Sequence, residues 1–435
     1  MQIKLTSIVT AGFLLATFAH SAPVIDWTTT WSEGGAGISR PVFVKLDGDG
    51  NILTAGHILG STGFDLLVQK RNSVGVLLWT ATYDNPRRDD APKAMGLDGE
   101  GNVIVAGTSW AGVGFERWLV LKVTSEGSIA WTRSADVGGA NAMHVNADGT
   151  CIVGGYTTSP STAFDMCTIK YAANGTRLWT SRLNGPHDSD DYVEDVAVDS
   201  SGNIYVAGSV QKSETQRDTR VFKLNSSGAR LWTRSYSAPS LNSLGVKIAV
   251  HPNGGCIVAG EQYQQAVEST YDVPVSRYDA DGNLIWRRIF NSPYDRVERV
   301  KGLKIDNAGN AWLLLAAHTD TSRDDIMLVR YSPTGVKDAR RFANGDGMSD
   351  EPMGFALNPT DGTIYIAGGT TNIYNKTESL VLKYNSLTRV WTSIQAGPNN
   401  GDFAFDVAID SQNRAIVSGQ TDIESNIMSR IWRIH

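Results

Sequence analysis

A tryptophan recurs along this chain at intervals of 48 to 54 residues, and a similar sequence surrounds it each time. The unit is clearest at residues 195–237, where Gly-containing turns separate four stretches rich in β-branched and aromatic residues, at 196–198, 204–207, 221–224 and 230–235. These stretches predict four short strands, with one longer variable loop between the second and the third. A unit of this size cannot bury a core alone, so its repetition predicts an array of stacked sheets.

The tryptophan register defines eight repeats, at Trp27, Trp79, Trp131, Trp179, Trp232, Trp286 and Trp391, with Ala339 in the one register that lacks the indole. Eight units of four strands predict an all-β chain folded as an eight-bladed β-propeller of four-stranded antiparallel blades. The last repeat ends after its third strand, whereas residues 24–30 look like a fourth strand placed before the first complete repeat. The N-terminal strand is therefore predicted to complete the last blade, and this closure removes the open sheet edges.

The first 22 residues have the features of a secretory signal peptide. Lys4 precedes an apolar run at 8–19, and small residues follow it. The run is too short to span a bilayer, and no later run is long enough to do so. We therefore expect residues 23–435 to form one propeller of about 52 residues per repeat, in a protein that is secreted, periplasmic or on the cell surface.

Composition excludes several classes of protein. The net charge is −6, with acidic and basic residues interspersed, which argues against a nucleic-acid-binding protein that needs a basic surface.

Cys151 and Cys256 occupy the same strand position in two repeats, where other repeats carry Ile or Val. We therefore interpret the cysteines, including Cys167, as small buried apolar residues rather than metal ligands.

The turn between the first and second strands often has the form Asp-x-x-Gly-Asn, as at 47–51, 98–102, 199–203 and 306–310. Gly supplies the positive φ of a tight hairpin, and the Asp side chain accepts hydrogen bonds from the turn backbone. The sequence at 47–51 has some likeness to a calcium-binding loop, but it lacks the glutamate and the flanking helices of an EF-hand. We interpret it as a hairpin turn.

Two stretches carry a resemblance to a known family. The sequence DSSGNIYVAG at 199–208 and the spacing Lys-x4-Gly-x3-Trp from Lys223 to Trp232 resemble the SBBP-type β-propeller repeat of secreted and surface bacterial proteins. The resemblance covers essentially the whole of 23–435, and it implies an exported propeller but little chemistry, because most members have no assigned function. The family name implies seven blades, whereas the repeat count here is eight.

A weaker similarity links the sequence YDADGNLIW at 278–286 to the Gly-to-Trp docking motif of quinoprotein propellers, which are also eight-bladed and exported. That resemblance implies either an oxidoreductase or a non-catalytic envelope scaffold. The vicinal cysteine pair that lies beside the quinone in the dehydrogenases is absent from this sequence.

An acidic residue recurs eight residues before the end of the first strand in five of the eight repeats, as Asp90, Asp191, Glu298, Asp350 and Asp402. Because the first strand is the innermost strand of a blade, these carboxylates would ring the mouth of the central channel and concentrate negative potential there. One hypothesis is a site for a cation such as Ca²⁺ or for a ligand that carries an amine. The other is that each carboxylate accepts backbone hydrogen bonds at its blade junction.

A basic residue fills one position of the third strand in all eight repeats: Lys70, Lys122, Lys170, Lys223, Arg277, Arg330, Lys383 and Arg433. An active site would not be copied eight times around a ring, so this pattern indicates an architectural role. The basic side chain is expected to lie across the sheet from the acid that ends the first strand, such as Asp47, Asp98, Asp199 or Asp306. The tryptophans are expected to seal the contacts between neighbouring sheets.

Function is less constrained than fold. The sequence has no HExxH, Gly-x-Ser-x-Gly or phosphate-loop motif, and we assign no catalytic residue. Variable loops are predicted on one face, at 57–63, 156–164, 209–217, 261–271, 317–323 and 370–377. We expect a monomeric, non-catalytic binding or scaffold protein that binds a protein, glycan or surface partner through this variable-loop face, and no nucleic acid.

The alternative is a propeller enzyme, either a quinoprotein-like oxidoreductase or a lyase or hydrolase, with its site at the mouth of the channel. A compact polar pocket there, with histidine and acidic groups in mutual reach, would favour the enzyme. A broad face without a pocket would favour the binding protein.

Overall fold

The computed structural model describes residues 22–31, 38–85, 89–110, 116–134, 137–159, 162–238, 242–264, 267–292, 297–318, 324–342, 349–372, 374, 376–397, 401–423 and 426–435. All regular structure in these ranges is β-strand, and the strands form eight four-stranded antiparallel sheets. No helix in the described ranges is long and apolar enough to cross a membrane. The predicted signal peptide falls almost wholly outside these ranges.

Each sheet is one blade, and its strands follow one another in sequence except in the last blade. Blade 1 contains β2 (Ser39–Leu46), β3 (Ile52–Leu59), β4 (Phe64–Arg71) and β5 (Leu77–Tyr83), and blade 2 contains β6 (Asp89–Leu97), β7 (Val103–Trp110), β8 (Arg117–Val123) and β9 (Ile129–Arg133). Blade 3 contains β10 (Gly138–Val145), β11 (Cys151–Ser159), β12 (Thr162–Tyr171) and β13 (Arg177–Leu183), and blade 4 contains β14 (Tyr192–Val198), β15 (Ile204–Ser213), β16 (Gln216–Leu224) and β17 (Arg230–Tyr236).

The second half of the ring repeats this plan. Blade 5 contains β18 (Asn242–Val250), β19 (Cys256–Gln264), β20 (Val267–Tyr278) and β21 (Leu284–Phe290), and blade 6 contains β22 (Glu298–Ile305), β23 (Ala311–His318), β24 (Asp324–Tyr331) and β25 (Lys337–Phe342). Blade 7 contains β26 (Asp350–Leu357), β27 (Thr363–Thr371), β28 (Thr377–Asn385) and β29 (Thr388–Gln395), and blade 8 contains β30 (Phe403–Ile409), β31 (Ala415–Ile423), β32 (Asn426–Ile434) and β1 (Ile25–Trp31). The predicted eight-bladed propeller is confirmed.

The N-terminal strand closes the ring, as predicted. β1 pairs antiparallel with β32, with Thr28 opposite Trp432, and the backbones of Val24 and His435 exchange hydrogen bonds of 3.0 and 3.1 Å. Asp26 in β1 forms an ion pair with Arg433, with Nε and Oδ2 2.6 Å apart. The first and last strands of the described chain are therefore joined by both backbone and side-chain contacts.

The core lies between neighbouring sheets, because each blade buries both faces against the blades beside it. One cluster, for example, joins Trp312 and Leu314 of blade 6 to Ile366 and Leu380 of blade 7. The three cysteines lie buried in blades 3 and 5, as predicted for small apolar residues. The burial of a strand is thus set by its place in the ring, and inner-strand residues such as Lys45 and Lys93 reach solvent in the central channel.

At five junctions a tryptophan of the fourth strand joins one blade to the next. The indole Nε1 of Trp179 donates to the carbonyl of Ser226 at 3.0 Å, and its ring packs against Gly228 of the same turn. Trp79, Trp131, Trp232 and Trp286 donate in the same way to the corresponding turn of the following blade. The predicted role of these tryptophans between sheets is confirmed at these five junctions.

The repeated basic residues are architectural as well. In blade 1 the ammonium of Lys70 lies 3.0 Å from Asp47, and in blade 2 that of Lys122 lies 2.8 Å from Asp98, across the sheet as predicted. The predicted pairs with Asp199 and Asp306 are not among the ion pairs of the described residues. Lys223 donates instead to the carbonyl of Ala280 at 3.1 Å, and Arg330 lies 3.7 Å from Asp338. Burial raises the pKa of Asp47 and of Asp98, but the hydrogen bonds from the Asn of the turn and from the lysine outweigh it and hold the pKa below the usual range. The Asp47 carboxylate thus accepts hydrogen bonds from Asn51 of its own turn and forms an ion pair with Lys70, as expected of a hairpin rather than a calcium loop.

The predicted variable loops are wrong in extent. In blade 4 the segment 209–217 is mostly paired strand, since β15 continues to Ser213 and β16 begins at Gln216, with Ser209 opposite Thr219. The same holds at 261–271, where Tyr263 pairs with Tyr271. The second and third strands of blades 3 to 5 therefore form long hairpins, and the tips of these hairpins lie on the variable-loop face.

Candidate functional site

The first strand of every blade carries an irregularity at the same position. In each of the eight inner strands the pairing register with the second strand shifts by one residue, as between Pro92 and Ala94 or between Val193 and Asp195. The extra residues are Val42, Lys93, Asn141, Glu194, Val246, Lys301, Met353 and Phe405. A bulge re-aims side chains at the rim of a closed sheet array, and here it lies on the wall of the central channel.

The channel widens at this level into a cavity of about 530 Å³. Its charged lining comes from six of the eight inner strands. Lysines come from blades 1, 2, 5 and 6, whereas carboxylates come from blades 4 and 8: Lys45, Lys93, Lys247, Lys304, Glu194, Asp195 and Asp406. No histidine is among the described residues that line this cavity.

Two of the three carboxylates are held against the wall by the backbone. Asp195 accepts hydrogen bonds from the amides of Val196 at 3.0 Å and of Ile248 in the next blade at 2.9 Å. Asp406 does the same with the amides of Val407 and Val44, at 2.9 and 3.0 Å. These aspartates occupy the same register on opposite sides of the ring, and each ties its inner strand to the next.

The lysines have no such partners. Among the residues that the structure describes, none of the four ammonium groups forms a hydrogen bond or an ion pair. Burial lowers the pKa of Lys304, and repulsion from Lys45 and Lys247 lowers it further, against the attraction of Asp406 and Asp195. The Lys304 ammonium lies over the Phe355 ring, 5.9 Å from its centroid. Within the described ranges, the cavity thus contains ammonium groups that no carboxylate or hydrogen-bond acceptor engages directly.

The five predicted site acids lie elsewhere. Asp90, Asp191, Glu298, Asp350 and Asp402 are each fully buried, in five different blades. Asp191 accepts hydrogen bonds from the amides of Gly185 and Gln211, and the amides of Asn85, Ser292 and Gly397 donate to Asp90, Glu298 and Asp402 at 3.0, 3.2 and 2.5 Å. These are the contacts expected of carboxylates that fix the chain at the blade junctions.

The structure does not bring these five acids together. In the described part of the chain, no group of three or more His, Cys, Asp or Glu side chains is arranged to hold a metal ion. The hypothesis of a cation or Ca²⁺ site at these residues stays a prediction.

Burial raises the pKa of both Asp90 and Asp191 to about 6, in spite of the hydrogen bonds that they accept. A carboxyl whose pKa is higher in the folded than in the unfolded chain adds stability as the pH falls through its folded pKa. We therefore expect the melting temperature of the wild type to exceed that of Asp191→Asn by more at about pH 5 than at about pH 7.5. Thermal unfolding of both proteins at the two pH values measures this, and an equal difference at both would contradict it.

A second feature of the variable-loop face is a run of aromatic rings at the mouth of the channel. The ring of Tyr156 lies 5.0 Å from those of Phe164 and Tyr192, edge to face in both cases, and Arg217 lies over the Tyr192 ring at 5.2 Å. Burial raises the pKa of Tyr192 to about 12. Tyr156 also packs over Gly139 of an inner strand, so this cluster borders the channel.

The run continues into blades 5 and 6. Tyr263 stacks on Tyr271 with 4.5 Å between ring centroids, and Arg299 lies over Tyr271 at 3.7 Å. We call the set Tyr156, Phe164, Tyr192, Tyr263 and Tyr271 the aromatic arc. It spans blades 3 to 5, with Tyr192 at the start of the inner strand β14 and the other four rings on the long hairpins of blades 3 and 5.

The charged groups of the arc have hydrogen-bond partners. Arg299 forms an ion pair with Glu261 at 2.8 Å, and Arg217 donates to Gln211 and to the carbonyl of Asp190, at 2.9 and 2.6 Å. Tyr156 donates its hydroxyl to Glu116. The arc is therefore a polar aromatic surface in which Arg299 is neutralised by a carboxylate, whereas Arg217 is hydrogen-bonded to neutral groups.

His57 and His318 lie outside this arrangement. His57 is opposite Arg40 on the neighbouring strand of blade 1, and burial together with the Arg40 charge lowers the pKa of its imidazole to about 4. His318 pairs with Asp324 at 2.9 Å on the second and third strands of blade 6. Neither histidine lines the channel cavity.

Comparisons with known proteins agree with the fold. Residues 178–209 match the SBBP β-propeller repeat, and residues 200–230 match the DUF5122 β-propeller, a domain of unknown function. The chain thus carries the repeat that its sequence resembles. The weaker similarity to quinoprotein propellers stays a prediction, and no curated protein matches the chain in sequence.

Solved structures resemble the chain at low identity. An ulvan lyase bound to -[GlcA(1-4)Rha3S]- is 13% identical, with a TM-score of 0.51 over 82% of this chain and 94% of the lyase. A puromycin hydrolase is 12% identical, with a TM-score of 0.47 over 89% of this chain and 59% of its own. A protein of unknown function from Bacteroides caccae is 12% identical, with a TM-score of 0.38 over 65% of this chain and 94% of its own. At such identities the likeness is one of fold alone.

Proposed function

We propose that this chain, a closed propeller that carries the SBBP-type repeat, is an exported and non-catalytic binding protein that holds a glycan across the aromatic arc. The proposal depends mainly on the five aromatic rings of the arc at the channel mouth. The side chains of Tyr156, Phe164, Tyr192 and Tyr263 are partly exposed. Aromatic rings give a ligand a large contact area at little entropic cost, while their hydroxyl groups stay available for hydrogen bonds.

The polar groups of the arc support a sugar ring as the ligand. Arg299 is ion-paired with Glu261 and Arg217 is held in place by Gln211, so the surface offers flat ring faces beside fixed hydrogen-bond groups. A cavity of about 530 Å³ beside it falls within the size range of small-ligand sites. Export, which the signal-peptide-like N-terminus supports, would place this face where extracellular glycans occur.

Binding to a panel of neutral and acidic oligosaccharides, measured by isothermal titration calorimetry, tests the proposal. For an oligosaccharide that binds the wild type, Tyr192→Ala and Tyr263→Ala should each weaken binding about tenfold or more, because loss of a central aromatic contact costs ~2 kcal/mol. Tyr374→Ala is the matched control, since Tyr374 is 76% exposed in the turn of blade 7 on the same face but outside the arc. Equal losses in all three variants, or no binding by any glycan, would remove the proposal.

The same experiment addresses the alternative of a lyase or hydrolase. The bound oligosaccharide, incubated with the wild type, should be recovered at its original length by mass spectrometry. Shortened products would favour the enzyme over the non-catalytic binding protein.

A further inference from the structure

The lysines of the channel are placed in opposed pairs. In a ring of eight blades, inner strands four blades apart face each other across the axis. Lys45 of blade 1 is thus opposite Lys247 of blade 5, and Lys93 of blade 2 is opposite the inner strand that carries Lys304. A ligand on the axis would meet ammonium groups from both sides.

The carboxylates of the cavity do not neutralise these pairs directly. Asp195 and Asp406 are each held by two backbone amides at the junctions of blades 4 and 5 and of blades 8 and 1. Glu194 is the third, and burial raises the pKa of its carboxyl, so its charged form is disfavoured there. The lysines are the remaining charged groups of the cavity, on long side chains. Burial disfavours the charged form of Lys304 as well, and a bound anion would favour it again.

The rest of the wall strengthens an electrostatic contact. Phe43, Met95, Met143 and Phe355 line the same cavity between the charged strands. Charges interact more strongly in a cleft with low-dielectric walls than in open solvent, and such a cleft raises the local concentration of ions of opposite sign. Like charges enclosed together are costly for the empty protein, and a multivalent anion would remove that cost.

We propose that the axial channel is a binding site for a multivalent oxyanion, held by Lys247 and Lys304 from one side and Lys45 and Lys93 from the other. The ligand chemistry is two or more carboxylate, sulfate or phosphate groups on one small molecule, or on the end of a chain that enters from the aromatic arc. This site differs from the five buried acids that the sequence suggested, and it does not require that the arc bind a glycan.

Titration calorimetry with citrate and with inorganic tripolyphosphate, at constant ionic strength set by sodium chloride, tests the site. The two anions separate carboxylate from phosphate chemistry. We expect saturable binding of at least one of them by the wild type, and a loss of about tenfold in affinity for Lys247→Met and for Lys304→Met, since charge-assisted contacts are worth ~1.5–3 kcal/mol. Lys376→Met, at an exposed position on the variable-loop face, should bind like the wild type.

The Met variants keep the length of the side chain and remove like-charge repulsion, so they should unfold at or above the wild-type temperature when no anion is added. That measurement separates loss of the site from loss of the fold. Equal affinity in all variants, or no binding of either anion at millimolar concentration, would overturn the site. Anion binding without glycan binding would remove the function proposed above and leave this site standing, and the converse would do the opposite.

Discussion

A protein that lacks residues 23–31 should not form a stable monomeric propeller. β1 is the fourth strand of blade 8, and without it β32 becomes an unpaired edge exposed to solvent. The deletion also removes Trp27 and Trp31, which pack against the cluster of Val44, Ile52, Ile416 and Ile431 at the junction of blades 8 and 1. An exposed hydrophobic edge favours association between chains, so we expect aggregation or a large fall in melting temperature.

Asp26→Asn is the matched control for this deletion. It keeps β1 and its two tryptophans but weakens the contacts of Asp26 with Arg433 and with His435, whose Nδ1 lies 3.1 Å away. A partly exposed ion pair contributes about 1 kcal/mol or less, so this variant should remain folded and monomeric. Thermal unfolding and size-exclusion chromatography distinguish the two outcomes.

A synthetic peptide of residues 22–31 adds a second measurement. Strand addition to an open edge is an established mode of peptide binding, and the peptide should restore part of the melting temperature of the truncated protein. A truncated protein that is monomeric and melts with the wild type would show that ring closure does not depend on β1.

The fold could be predicted from the sequence because its determinants are local and repeated. The turn at 199–203 forms the hairpin that its residues predict. Gly202 has a φ of +77°, and the Asp199 carboxylate accepts hydrogen bonds from the amides of Ser201 and Asn203. The period places the next tryptophan, and the missing fourth strand of the last repeat identifies the partner of β1. Each of these features is visible without knowledge of any distant contact.

The strand ends on the variable-loop face were less predictable. The residues at 209–217 are mostly polar and have no strong alternation, so the sequence alone favours a loop. They pair because the hydrogen-bonded ladder between β15 and β16 begins in the buried part of the blade and continues to Ser213 and Gln216. Tyr263 and Tyr271 become neighbours only because a similar hairpin brings them into register.

The channel charges were missed for a different reason. Lys93 lies at the bulge of its inner strand, Lys247 lies one position further, and Lys45 and Lys304 lie two positions beyond that, so only blades 1 and 6 carry a channel lysine at the same place in the unit. The four lysines line one cavity only because the closed ring brings their inner strands around the same axis. A usable signal was the presence of lysines inside first strands at all, where a buried inner strand is expected to be apolar. The repeated acids, by contrast, were easy to find, but spacing could not show that their carboxylates turn toward junction amides.

The docking of tryptophan on glycine gives the second prediction of large effect, Gly228→Ala. Gly228 lies in the turn between β16 and β17 with a φ of +85°, and a Cβ there would lie 2.7 Å from the ring of Trp179 in the preceding blade. The substitution therefore places a side chain in a left-handed conformation, at ~1–2 kcal/mol, and also forces the indole away. The hydrogen bond from Trp179 to Ser226 would be strained by the same movement.

Gly202→Ala separates these two costs. Gly202 is in the same blade with a similar φ of +77°, but a Cβ there would meet only the Cβ of Ser226, at 3.5 Å, which is an ordinary contact. Gly228→Ala should therefore lower the free energy of unfolding by about 1–3 kcal/mol more than Gly202→Ala, the usual cost of overpacking a close contact. Urea unfolding of the two variants measures the difference.

A double-mutant cycle assigns the excess to the indole. In a Trp179→Ala background the clash is absent, so Gly228→Ala should cost no more than Gly202→Ala does in the same background. If the excess persists without the indole, the turn itself and not the contact between blades requires glycine at 228. If it disappears, the repeated pairing of tryptophan and glycine is what sets the spacing between neighbouring blades. The same argument then extends to Trp79 with Gly127 and to Trp232 with Gly282, where a Cβ on the glycine would lie 2.8 and 2.7 Å from the indole ring.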